Sequence, residues 1–196
     1  MIESGIIPFQ LQDKVDRELE SGERVVWMDQ PVPRYFTAGS SSAFLFAIPW
    51  TAFAVFWMYG AAGFKIPDFT KGPEALFPLF GLPFVLIGLG LLSTPYWTFL
   101  KALRTVYVIT DRRAILFEGG WSTTIRSFFP DQLRDIYRKE RRNGSGDIIL
   151  GRHIGTDSDG DKHSTDIGFQ NVRDAKVVEE MLRTLAKSSV PGHNTG

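Results

Sequence analysis

Two long uncharged runs divide the chain. No charged residue falls between Arg34 and Lys65, a gap of thirty residues, or between Glu74 and Lys101, a gap of twenty-six. The first run contains SSAFLFAIPWTAFAVFWMYGAAGF and the second ALFPLFGLPFVLIGLGLLSTPYWTFL. A helix needs about 20 apolar residues to cross a hydrocarbon core of about 30 Å, so both are long enough. Two buried helices of a soluble protein are the alternative, but such helices keep a polar face and neither run has a charged stripe. The pattern predicts two membrane spans, over about residues 40–62 and 76–98, within a segment 35–100. Pro49, Pro78, Pro83 and Pro95 fall in the runs. Membrane helices tolerate proline where neighbouring groups satisfy the freed carbonyls. Pro78 is expected in the first turn of the second span, and Pro83 and Pro95 to kink it. Tyr35, Phe36, Trp57, Tyr59, Tyr96 and Trp97 lie toward the run ends, as in an interfacial aromatic belt.

Ten residues, KIPDFTKGPE, join the runs, so the spans form a hairpin. Ala47, Ala54 and Ala61 recur every seven residues, as do Gly81 and Gly88. Small residues let helices approach in lipid, and these two faces are expected to meet. The connecting loop carries Lys65 and Lys71, whereas the other flanks carry Arg24, Arg34, Lys101, Arg104, Arg112 and Arg113. The positive-inside rule then puts both termini in the cytoplasm.

After residue 100 the period changes. TVYVIT and AILFE are β-branched and apolar, as strands are, and meet at Asp111-Arg112-Arg113. STTIRSFF follows as a third strand ending at Pro130, and QLRDIYRKE alternates imperfectly as a fourth. Asn143-Gly144 is a hairpin turn signal. DIILG and TDIGF are two more short strands, bracketing the polar loop RHIGTDSDGDKHS. Val172, Ala175, Val178, Met181, Leu182 and Leu185 follow helical spacing from an Asn171 cap. Upstream, ERVVWMDQP (23–31) is a candidate seventh strand, and Leu11, Val15 and Leu19 mark a short helix. The expected organisation is a cytoplasmic segment 1–34, a transmembrane hairpin 35–100, a sheet domain 101–187 closed by one helix, and a flexible tail 188–196. The fold class is an α+β membrane protein.

Charge and composition refine this picture. The net charge is zero, so no affinity for nucleic acid follows. Residues 1–34 hold four basic and seven acidic residues, and residues 101–196 hold sixteen and thirteen. Cysteine is absent, which excludes disulfides, iron–sulfur clusters and thiolate zinc sites. Eleven charges in the first 34 residues argue against a signal peptide.

Six or seven strands closed by a C-terminal helix form a pleckstrin-homology (PH) outline. YVITDRRAIL resembles the Tyr-x-x-Thr-Asn/Asp-x-Arg hairpin of bacterial PH-like membrane proteins. GERVVWMDQP is similar to their Gly-Glu-x-Val-x-Trp-x-x-x-Pro lead-in, and LFGLPFVLIGL and GSGDIILG also look like elements of that family. The resemblance covers roughly residues 22–187. It implies a membrane-anchored cytoplasmic PH-like domain, often without a known ligand, and does not imply a catalyst. Eukaryotic lipid-binding PH domains resemble one another in a long basic loop between the first two strands. Here that connection is Asp111-Arg112-Arg113 alone, so phosphoinositide binding does not carry over.

The densest basic cluster is RKERR, residues 138–142. One reading is a solvated hairpin arm beside the Asn143-Gly144 turn. As a site, Arg138, Lys139, Arg141 and Arg142 contact anionic headgroups, joined by Arg112 and Arg113 if their turn faces the bilayer. Such a contact is worth about 1 kcal/mol per basic residue. DSDGD (157–161) lacks the EF-hand spacing, because Gly160 is its fourth residue and Gly168 stands where a Glu is needed. His153 and His163 offer two ligands where zinc needs more. Neither span contains Asp, Glu, Lys, Arg or His, which argues against a pump or transporter. No nucleophile motif, phosphate loop or paired catalytic carboxylate stands out, so no enzyme activity, cofactor, metal site or small-molecule substrate is expected.

The sequence therefore predicts an integral protein of the inner (cytoplasmic) membrane. It presents a PH-like scaffolding module that recruits a protein partner or associates with itself. A sensor of anionic lipid through residues 138–142 is the alternative, and a small oligomeric channel a weaker third.

Overall fold

The computed structural model describes residues 7–65, 72–120, 122–156 and 162–188. The chain forms two compact units: the segments up to Pro33 and from Lys101 onward make one, and Arg34–Leu100 the other.

The first unit is mixed α+β. Four strands, β1 (Val25–Asp29), β2 (Val106–Thr110), β3 (Ala114–Glu118) and β4 (Thr124–Phe128), form an antiparallel sheet in that order. A second antiparallel sheet contains β5 (Tyr137–Glu140), β6 (Gly146–Thr156) and β7 (Lys162–Val172). Residues 23–31 thus do supply a strand to the first sheet, although the whole apolar unit intervenes in sequence. Asp29 faces Tyr107 across the β1–β2 ladder, with a register shift between Val25 and Trp27.

The unbroken apolar character of VYVIT and AILF follows from burial on both faces, which removes the polar alternation of a half-exposed strand. On one face Tyr107, Ile109, Ala114 and Leu116 join Trp27, Ile148, Leu150 and Phe169 in the main core. On the other, Val106, Val108, Ile115 and Phe117 lie beneath Ile7, Leu11 and Val15. Leu11 and Val15 belong to α1 (Phe9–Glu18), and Leu19 packs at its extended C-cap. The main core is closed by α5 (Ala175–Ser188) through Ala175, Val178, Leu182 and Leu185. Tyr107 stacks on Phe169 with centroids 4.6 Å apart. Its hydroxyl donates to Gln170 O and accepts from Gln170 N, both at 3.0 Å, tying the two sheets together.

Three expectations in this unit are corrected. QLRDIYRKE is not one strand. Pro130 starts a 3₁₀ turn, Pro130–Leu133, and only Tyr137–Glu140 pairs with β6. DIILG and TDIGF are parts of two eleven-residue strands whose pairing runs on to Thr156 and Lys162. That ribbon continues past the reach of β5, where no apolar pattern is required of it. The DSDGD stretch lies outside the described residues. Helix α5 starts at Ala175 rather than after an Asn171 cap. Asn171 is the penultimate residue of β7, in the left-handed region at φ 53°, so Val172 enters the core from a strand.

The second unit contains α2 (Ala38–Ala61), a 3₁₀ helix Pro73–Gly81, α3 (Leu82–Leu92) and α4 (Thr94–Leu103), the last running into the sheet unit's sequence. Thr37 and Ser40 form a reciprocal cap that satisfies exposed N–H groups at the start of α2. The expected continuous second span is instead broken. Pro83 and Pro95 each stand in the first turn of a new helix, where a missing N–H is tolerated, and Pro78 lies inside the 3₁₀ segment. The axes on either side of Ser93 differ by 42°. Gly81 and Gly88 do pack against α2, where a side chain at either position would meet Met58 or Thr51. Ala47 and Ala54 are buried. Most of the connecting loop, including Lys71, lies outside the described residues.

Candidate functional site

GERV and TDRR, which carry the two specific motifs, meet at one place. Glu23 Oε1 accepts from Arg113 Nε at 3.0 Å and from Thr110 Oγ1 at 2.7 Å. Glu23 Oε2 accepts from Arg113 Nη2 at 3.1 Å and from the Glu20 N–H at 2.9 Å. Arg113 also donates to Ser127 Oγ at 3.1 Å and to Glu18 O at 2.9 Å. The Glu23 side chain is wholly buried and that of Arg113 is 9% exposed. Burial alone would raise the Glu23 pKa, but the hydrogen bonds from Arg113, the Glu20 N–H and Thr110 overcome it and hold the carboxyl at about 2. Arg113 is pushed up, chiefly by its bond to Glu23. Gly22, at φ +79°, supplies the left-handed residue that turns Glu23 inward from the end of α1. This clasp joins the lead-in to β1 with the β2–β3 turn.

Arg113 is therefore committed to the fold, with its guanidinium facing Glu23 and not solvent. Arg112 is exposed and pairs with Glu20 at 3.3 Å. Its turn ends β2, a strand whose five residues carry it roughly 17 Å from the Lys101 side of the domain.

The RKERR cluster is spread over β5 and the turn that follows. Arg138 approaches Glu140 at 3.0 Å and Glu179 at 3.1 Å, fastening β5 to α5. Lys139 and Arg152 both hold Asp166, at 2.9 and 3.1 Å, and the Tyr137 hydroxyl donates to it at 2.9 Å. Those partners, Lys139 first and then Tyr137, keep the Asp166 carboxyl at about 2. Arg141 pairs with Asp147 at 3.1 Å and reaches Asn171 Oδ1 at 3.3 Å. Arg142 is exposed, with no ion pair among the described residues. The structure thus separates the six cations: Arg113 is internal, Arg138, Lys139 and Arg141 face carboxylates, and Arg112 and Arg142 stand at two different turns. Sequence reasoning missed Glu23 altogether. Its signal was a glutamate in GERV and an arginine in TDRR, opposite charges in the two motifs.

A cleft of about 260 Å³ in the apolar unit is lined by Trp50, Phe53, Ala54, Trp57, Phe80, Gly81 and Phe84. A hollow of about 110 Å³ beside Lys139 and Asp166 is also lined by Asp147, Gly168 and Gln170. Among the described residues no three His, Asp or Glu side chains gather as a metal site. The side chains of His153 and His163 lie outside the described part. Comparison of the chain with protein-family models, curated proteins and solved structures found no match.

Proposed function

We propose that the chain is a membrane-anchored PH-like module whose two-span hairpin holds a binding or scaffolding domain at the cytoplasmic face of the inner membrane. The carrying observation is the apolar surface of α2. The helix is long and apolar enough to cross a membrane, and only 11% of its apolar window is buried. Leu45, Phe53 and Phe56 are each more than 60% exposed, which suits lipid and not water. The bent pair formed by Leu76–Leu92 and Thr94–Leu103 is long enough for a second span.

Connectivity supports the second crossing. β1 precedes the apolar unit and β2 follows it, yet they are hydrogen-bonded partners. A single crossing would leave them on opposite sides of the bilayer, so the segment between them crosses an even number of times. The basic flanks favour the cytoplasmic side. Two sheets and a closing helix agree with the PH outline, to which α1 adds a cover on the first sheet. β4 is an edge strand, with Ile125 exposed on it and Phe129 exposed just after it, and offers a template for a partner strand from another protein or a second copy.

The test is photocrosslinking of the full chain in native membranes, with reactive residues at Thr123, Arg138 and Arg152. Discrete protein adducts support recruitment, and lipid adducts alone refute it. Release of the chain by alkaline carbonate would refute the anchor itself.

A further inference from the structure

We infer that the Arg141–Gly144 turn, together with Arg173 beside the start of α5, contacts anionic phospholipid headgroups. The inference rests on the anchoring reading above. Chain connectivity locates the site. The chain leaves the sheet domain just after Val32, whose N–H donates to Asn171 O at 2.9 Å. Asn171 Nδ2 donates back to Val32 O. Arg141 Nη1 reaches Asn171 Oδ1 at 3.3 Å, and Gly144 O accepts from the Ala175 N–H at 3.2 Å. Arg173 Nε stands 4.0 Å from Asp29 Oδ2, at the end of β1. The turn, the end of β7 and the start of α5 therefore gather where the chain departs for the apolar unit. From Val32 to Tyr35 the chain spans at most about 11 Å.

In the anchoring reading this end of the domain is held at the bilayer surface. Cations held there within a Debye length, about 8 Å in physiological salt, feel the negative leaflet. Arg142 is exposed without a counter-ion among the described residues, and Arg173 is 53% exposed with its carboxylate partner at 4.0 Å. Arg138 and Lys139 are neutralised by closer carboxylates. Arg112 lies at the far end of β2. The tether supplies proximity, so a pair of weak charge contacts is enough to orient the domain, and no headgroup pocket is required.

The chain has no cysteine, so Asn143→Cys and Arg112→Cys each give a single labelling site. Each variant is reconstituted at full length in nanodiscs of neutral phosphatidylcholine, or of phosphatidylcholine mixed with phosphatidylglycerol. Quenching of the label by nitroxides on either headgroup is then read. The expected result is strong quenching at position 143, weak quenching at 112, and enrichment of phosphatidylglycerol around 143. Neutralising both cations, Arg142→Gln with Arg173→Gln, lowers that preference by about 25-fold, at roughly fivefold per charge. Equal quenching at the two positions overturns the inference, as does a preference that survives the double substitution. Loss of quenching at 143 on adding millimolar inorganic phosphate, without any preference for phosphatidylglycerol, assigns the turn to a soluble anion and also overturns it. Failure of the chain to enter nanodiscs contradicts the anchor instead.

Discussion

Replacing Arg113 with methionine keeps most of the side-chain volume and removes the charge that compensates Glu23. The carboxylate then keeps only Thr110 and the Glu20 N–H as donors, in a position with no solvent exposure. Breaking a buried pair by removing one partner costs about 3–5 kcal/mol, a large part of a domain stability of about 5–15 kcal/mol. For a sheet domain of this size the shift in Tm is roughly 10–20 °C downward. The acid response discriminates further. In the wild type the Glu23 pKa is lowered from 4.5 to about 2, so its contribution is complete above pH 4.5 and is lost as pH falls toward 2, about 3 kcal/mol in all. Without Arg113 the strongest of the lowering influences is gone, and burial pulls the Glu23 carboxyl up from about 2. The acid loss that weakens the wild type is then smaller in the variant, whose deficit shrinks on acidification. Glu23→Gln combined with Arg113→Met removes the stranded charge and recovers part of the loss. The assay is pulse proteolysis of the full chain in nanodiscs across urea, at pH 7 and pH 4. A loss below about 1 kcal/mol at pH 7, or a deficit that grows in acid, would show that Arg113 does not compensate a buried Glu23 charge.

Two further outcomes follow from the packing and the polar network. A Cβ at Gly88 would overlap Thr51 Oγ1 and crowd Trp50, so Gly88→Leu should separate α2 from α3; Förster transfer between dyes on the two helices in detergent measures it, and unchanged transfer counts against the contact. Lys139→Gln should raise the Asp166 carboxyl from about 2 toward its ordinary range, as read by NMR titration, and an unmoved midpoint would show that Lys139 does not hold it.

Much of the sheet domain was legible because local signals agreed with the fold. The β2–β3 hairpin, β4, α1 and β1 each carry a periodicity or turn residue in the right place. The misreadings have physical causes. Val172 matched the helical spacing of α5 only because β7 delivers it to the same core. The β6–β7 ribbon outruns the third strand, so its distal pairing leaves no hydrophobic pattern to read. Pro83 and Pro95 were visible, but hydropathy does not distinguish a kinked span from helices that restart at each proline. Arg113 looked like surface charge because its partner, Glu23, lies ninety positions away across the apolar unit. The charges of RKERR were visible too, but their carboxylate partners Asp147, Asp166 and Glu179 come from later elements.

Sidedness decides whether the sheet domain and the hairpin loop lie on opposite faces of the membrane. Single cysteines at Gln10, Lys65 and Asn143, introduced into a chain that has none, are treated with an impermeant maleimide before and after the cytoplasmic face is opened. A two-span anchor with cytoplasmic termini gives labelling of position 65 from outside, and of positions 10 and 143 only once the cytoplasmic face is accessible. Labelling of positions 10 and 143 from opposite sides, or of all three from one side, would contradict it.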